Sequence, residues 1–290
     1  MYYAAVCVAV VLFGTQFLTK RKYAEKMGSG LFPTMLLSLL GGILGAVIMV
    51  FTSGFKLEYT PFTLIMACVV TLNGLLFNLC SLKSFERVNL AVYSVYSMLG
   101  GMILPILAGV AFFGEELTLG LILCCVFVIA SVILVNVKKS STKSGTHNRF
   151  LSFLFYLGVF FFNGMSGVIN KFYTDAEYAK ASSAGFSLMC SLVTVAVSLV
   201  FILCYRKNRP KIYPLPTFIA LCGNAGNRVA NYLLLLSLSF LPASVNYSMV
   251  TAGTIVVSTV LSSVSGGKVQ KFEWLAVLTS ITGIACLILL

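Results

Sequence analysis

Ten long apolar runs follow one another through the 290 residues, broken only by short polar stretches. They are Tyr2–Thr19, Leu31–Phe51, Phe62–Cys80, Val88–Phe113, Leu117–Val137, Phe150–Asn170, Ser182–Tyr205, Thr217–Leu236, Leu241–Ser265 and Phe272–Leu290. A helix needs about 20 apolar residues to cross the hydrocarbon of a bilayer. Backbone groups in lipid must find partners within the segment, so each run is expected as a helix. The runs are continuous, which excludes the alternating ten-residue pattern of a membrane barrel. Only 10% of the residues are charged, against roughly 25% in a soluble domain, too few to cover a water-facing surface. The expected fold class is therefore all-α integral membrane protein, multi-pass, in the cell membrane. The first run lacks a basic n-region and an A-x-A-like cleavage site, and reads as a retained helix.

The formal net charge of +12 raises the possibility of a nucleic-acid partner. The distribution of the charges argues against it, because the basic residues are scattered through short breaks between apolar runs, where cytoplasmic-loop charges belong. The nine cysteines all lie inside apolar runs, and the single histidine, His147, is in a loop. No metal-ligand spacing or disulfide framework emerges, so neither metal nor cofactor is expected. One loop histidine and no intramembrane acid leave no nucleophile–base pair for an enzyme. The expected partners are the lipid bilayer and a small-molecule solute, with the chain as a monomer or homodimer.

The longest polar stretch, Val137 to Arg149, divides the chain near its middle with five runs on each side. A shift of 153 positions lays Asn231 on Asn78, Ser237 on Ser84, Val245 on Val92, Gly253 on Gly100 and Gly267 on Gly114. The expected organisation is a first five-helix repeat at 1–137, a polar linker at 138–149 and a second five-helix repeat at 150–290. An odd number of spans per repeat inserts the second copy upside down, an arrangement that many secondary transporters share.

Orientation follows from alternate loops. One set holds Lys20, Arg21, Lys22, Lys26, Lys83, Arg87, Lys138, Lys139, Lys143, Arg149, Arg206, Lys207, Arg209, Lys211, Lys268 and Lys271, and the other holds Lys56, Lys171 and Lys180. Basic residues favour the cytoplasm, which places both termini outside. The turn Phe112–Gly120 holds two of the eight acids, Glu115 and Glu116. It then lies outside, while its repeat partner, Gly267-Lys268, lies inside. The acids also suit the positive end of the helix that follows the turn.

Ten spans, two inverted halves and the turn Gly114-Glu115-Glu116-Leu117-Thr118 together resemble the EamA-type transporters of the drug/metabolite transporter superfamily. Phe240 to Val250, "FLPASVNYSMV", is similar to that family's turn into the ninth helix. The resemblance implies export or exchange of a small metabolite through a central cavity. Two features depart from the pattern: the second turn reads Gly266-Gly267-Lys268, and the charge bias puts the termini outside.

Within the spans, "CGNAGNRVANY" (Cys222–Tyr232) is the most polar stretch. Asn224, Asn227, Arg228 and Asn231 recur at spacings of one helix face, and an arginine at a helix centre costs about 2.5–3.5 kcal/mol on insertion scales. Such a residue faces either a cavity or internal partners. The stripe is expected to line the transport cavity; the alternative is that the asparagines and nearby carbonyls satisfy the guanidinium as internal glue. Asn73 and Asn78 on the third span, Tyr93 and Tyr96 on the fourth, and Asn246 and Tyr247 on the ninth are further candidates. For Asn73 and Asn78 the competing role is interhelical hydrogen bonding, and for Tyr93, Tyr96, Asn246 and Tyr247 it is a place in an interfacial belt. Gln16, Asn163 and Asn170 are weaker candidates. Gly41 and Gly45 form G-x-x-x-G, a close-packing motif, and Pro105 is expected to kink the fourth span. No acid lies mid-span, which disfavours proton-coupled export of lipophilic cations and favours an anionic or zwitterionic solute. The expected function is a secondary transporter working by alternating access. A non-transporting receptor or assembly protein on the same scaffold is the alternative, since fold does not fix function.

Overall fold

The computed structural model describes residues 2–87, 90–136, 149–205, 212–264 and 271–289. Among them the secondary structure is ten α-helices: α1 Tyr2–Met27, α2 Leu31–Thr52, α3 Pro61–Arg87, α4 Leu90–Phe113, α5 Leu119–Asn136, α6 Arg149–Asp175, α7 Ser183–Cys204, α8 Pro214–Leu238, α9 Ala243–Val264 and α10 Lys271–Leu289. Residues 137–148, which hold the expected linker, and 265–270, which hold the Gly267-Lys268 turn, lie outside the described residues, as do Arg206, Lys207, Arg209 and Lys211.

Among the described residues, five stretches are long and apolar enough to cross a membrane: Leu31–Thr52, Pro61–Ser84, Tyr96–Phe113, Phe153–Asp175 and Ser183–Cys204. Apolar side chains such as Ile65, Leu72, Leu203, Phe218 and Leu278 are more than half exposed on the outer faces of their helices. Lipid accommodates such a belt, whereas water would penalise it. The chain is compatible with a multi-pass α-helical membrane protein.

Several helices overrun the sequence boundaries, α1 and α3 furthest at their C-terminal ends. α1 continues past Thr19 to Met27 and α3 continues past Cys80 to Arg87. Lys20, Arg21, Lys22, Lys26, Lys83 and Arg87 are therefore helical and not loop residues. The reason is that polarity marks where apolar character ends, not where helical hydrogen bonding ends, and Lys, Arg and Glu are good helix formers. Lys171 likewise belongs to α6 and not to the loop after it.

The helices pack in antiparallel pairs. α1 lies on α8, with Tyr2 stacked on Phe240 at one end and the Tyr213 N–H donating to Met27 Sδ at the other. α2 lies on α7, α3 on α6, and α5 on α10, where Ser131 and Ser280 share a buried 2.7 Å hydrogen bond. α4 crosses α6 at glycines: a Cβ on Gly100 would sit 2.0 Å from the Phe160 carbonyl oxygen, and one on Gly164 would sit 2.4 Å from the Gly100 oxygen. Backbones this close leave no room for a side chain, as at small-residue crossings in membranes generally. Pro105 lies within an unbroken α4 and faces Gly167 of α6. Apolar clusters fill the spaces between pairs, one of them built on Met98, Met102, Leu121 and Val128 and another on Tyr173, Phe186, Met189 and Leu235.

Candidate functional site

α8 starts at Pro214, where the missing N–H and fixed φ of proline suit a first helical turn. From there, its fourth turn brings a polar stripe against α2. The Asn224 amide donates to the Leu37 carbonyl at 3.0 Å. Glycine makes this approach possible, because a Cβ on Gly41 would meet Asn224 Nδ2 at 2.5 Å. One on Gly45 would meet Ser191 Oγ at 2.9 Å and Arg228 Cγ at 3.2 Å. The G-x-x-x-G pair thus admits the asparagine and the stem of Arg228 beside α2. Gly41→Ala should lower the melting temperature in detergent by the equivalent of about 1–3 kcal/mol. Gly74→Ala should be neutral or gain up to about 1 kcal/mol of helix propensity, because nothing lies within 4 Å of a Cβ built there. Equal shifts in the two variants would contradict this account.

The stripe faces a cavity of about 230 Å³ enclosed by α1, α2, α3, α4, α6, α7, α8 and α9. Asn224, Asn227, Arg228 and Asn231 all line it, as do Asn78 and Tyr247. Asn231 donates back to the Asn227 carbonyl at 2.8 Å. Among the described residues Arg228 has no hydrogen-bond acceptor and no carboxylate partner. The weaker candidates Gln16, Asn163 and Asn170 line the cavity too. Asn163 donates to the Ser97 carbonyl, and Gln16 Nε2 is buried with no partner among the described residues.

Four expected site residues do not line the cavity. Asn73 ties α3 to α6, donating to the Phe162 carbonyl at 2.9 Å and to Ser166 Oγ at 2.8 Å. Tyr93 is fully buried and shares a 3.0 Å bond with Ser81, and Asn246 is fully buried and donates to Ser237 at 2.7 Å. Tyr96 stacks on Tyr156 with ring centroids 5.4 Å apart. Asn73 thus makes the interhelical hydrogen bonds that were its alternative role, while Tyr93, Tyr96 and Asn246 contact neighbouring helices.

Sequence reasoning missed Lys20, assigned to a loop. Its side chain is buried and lines the cavity, the ammonium donating to Asn78 Oδ1 at 2.9 Å and lying 5.0 Å from the Phe77 ring centroid. Asn78 in turn donates to Ser38 Oγ at 3.3 Å. The signal available was the spacing of Gln16 and Lys20, four residues apart on one helix face.

Glu115, in the turn after α4, serves a helix other than the one that follows it. Glu115 reaches across to α9, accepting from the Ala243 N–H at 2.7 Å and the Ser244 N–H at 3.0 Å, and pairs with Lys171 of α6 at 3.5 Å. Lys171 also pairs with Asp175 at 2.9 Å. Gly109 leaves room for the carboxylate, since a Cβ there would sit 2.6 Å from Glu115 Oε2. Burial pushes the Glu115 pKa up. The side-chain and backbone hydrogen bonds from Ser244, the Ala243 N–H and the Lys171 charge outweigh it and hold the carboxyl below the ordinary range. Glu58 makes a similar contact with another helix start, accepting from the backbone N–H of Ser182, the N-cap of α7.

Neither a family model nor a curated protein matches this chain. Among solved structures, one described only as "Crystal structure of protein" superposes with a TM-score of 0.75 at 15% identity, covering 99% of this chain and 96% of that chain. At that identity the likeness speaks to the fold alone.

Proposed function

We propose that this chain is a secondary transporter of a small polar, anionic or zwitterionic metabolite, working by alternating access and similar to the EamA-type transporters. The observation that carries the reading is the polar cavity, lined by helices of both halves, faced by Arg228, which has no acceptor or carboxylate partner among the described residues. A cation with no internal partner, held in a cavity among apolar helices, is the arrangement expected for a solute site.

Ten spans in two inverted five-helix repeats are part of the same proposal, and the packing supports them. Exchanging the halves turns the α1–α8 pair into α6–α3, turns α4–α6 into α9–α1, and leaves α2–α7 and α5–α10 as they are. Individual contacts follow the same exchange. Gly100 abuts Phe160 as Gly253 abuts Val10, and Asn73 meets Phe162 as Gly226 meets Leu12. Two offsets, 253 − 100 and 226 − 73, both give 153. The other two, 160 − 10 and 162 − 12, both give 150.

Orientation rests on the charge bias. With Lys20 in the cavity, the counts become 16 − 1 = 15 and 3. Reporter fusions at the C-terminus, one active only outside and one only inside, should give the outside signal; an inside signal would reverse the orientation. The function itself is tested by counterflow in proteoliposomes preloaded with candidate anions and amino acids. Uptake of labelled solute driven by the preload supports carrier transport. Purified, folded protein that moves none of a broad panel would refute it.

A further inference from the structure

Building on the transport reading above, we propose that Lys20 and Arg228 together form the anion subsite of the cavity and that the solute carries two negative charges, as a dicarboxylate or a phosphate monoester does. The two cations come from α1 and α8, which pack directly against each other, and both line the same cavity. Two like charges facing one cavity repel each other. No aspartate or glutamate is among the cavity-lining residues.

The neutral groups around Lys20 orient it without cancelling its charge. Asn78 Oδ1 is its one acceptor among the described residues, and the amide of Asn78 is turned by its own donation to Ser38. An ammonium has three donors, so this bond leaves capacity for a ligand. Arg228 has its whole planar fork available to a carboxylate or phosphate, which it can grip with two parallel bonds. A dianion matches both cations and relieves their repulsion. A monoanion leaves one of the two positive charges uncompensated, and a zwitterion adds a third cation to the cavity. Gln16, one turn from Lys20 on the same helix face, has an unpartnered Nε2 donor for a neutral oxygen of the same solute.

The test uses binding to purified protein in detergent, so that it does not depend on flux. The probes are succinate, monomethyl succinate, glycerol phosphate and alanine, and the proteins are wild type, Lys20→Gln and Lys20→Arg. Wild type should bind succinate or glycerol phosphate at least about tenfold more tightly than monomethyl succinate or alanine, and the better of the two identifies the acid group. Lys20→Gln should lose at least about tenfold for the dianion while monomethyl succinate changes little, and Lys20→Arg should keep the preference. Equal affinity of wild type for monoanion and dianion, tighter binding of alanine, binding of no probe, or an equal loss of all probes in Lys20→Gln would overturn the two-charge subsite. Dianion binding without flux in vesicles would leave the subsite standing and remove transport. Flux of a monoanion or zwitterion would do the reverse.

Discussion

Arg228→Ala should abolish solute flux while the protein remains folded. Truncating one partner of a buried, hydrogen-bonded charge pair costs about 2–5 kcal/mol, so flux at subsaturating solute should fall about 30-fold or more. The folded state should hold, because among the described residues none of the surrounding hydrogen bonds runs through the guanidinium. Asn224 donates to Leu37 and Asn231 donates to Asn227, and both bonds survive the truncation. Removing a mid-helix arginine also removes an insertion cost of about 2.5–3.5 kcal/mol. The melting temperature in detergent should therefore stay level or rise. Arg228→Lys keeps the charge and loses the planar fork, so it should fall between wild type and alanine if contact is bidentate. A variant that melts early would show that Arg228 holds the helices together, and one that transports normally would show that the solute does not touch it.

The sequence made the polar stripe of α8 legible because arginine and asparagine at helical spacing inside an apolar run have few roles open to them. Asn224, Asn227, Arg228 and Asn231 accordingly share one cavity wall. The same reasoning was weaker for single polar residues. Asn78 lines the cavity and Asn73 on the same helix does not, and nothing in one helix alone tells which face meets a cavity and which meets a neighbour. Lys20 was concealed by its place at the end of an apolar run, where a basic residue ordinarily reports a loop. Its burial depends on α3 bringing Asn78 and Phe77 alongside, a tertiary fact. Gly41 and Gly45 were legible as a close approach, but their occupants, an asparagine and an arginine stem, were not. Glu115 departs from the expectation for its turn. A carboxylate does meet a helix N-terminus there, but the helix is α9, 128 residues on from Glu115 and not the next in sequence.

Glu115→Ala should therefore destabilise the protein far more than Glu116→Ala, although the two glutamates are neighbours. Glu115 satisfies two backbone N–H groups at the start of α9, a cap whose loss costs about 0.5–2 kcal/mol. It also faces the buried Lys171, which keeps only Asp175 once the carboxylate is gone. Stranding half of a buried pair costs more than the cap does, and the surviving Asp175 contact moderates it. A combined loss of about 2–3 kcal/mol is expected, or roughly 5–10 °C in melting temperature. Glu116 is exposed, and surface substitutions of that kind stay within about 0.5 kcal/mol. Glu115→Gln keeps an acceptor oxygen for one N–H and loses the charge, so it should lie between the two. The pH dependence fixes the cause. A carboxyl held below its ordinary value near 4.5 contributes fully above that value and loses its contribution as pH falls through the depressed pKa. The gap in melting temperature between wild type and Glu115→Gln should thus be widest near about pH 7 and shrink toward about pH 3.5. A gap that is constant over that range would mean that the turn acts through shape alone. No gap at all would mean that the tie between the turn, α6 and α9 contributes nothing to the fold.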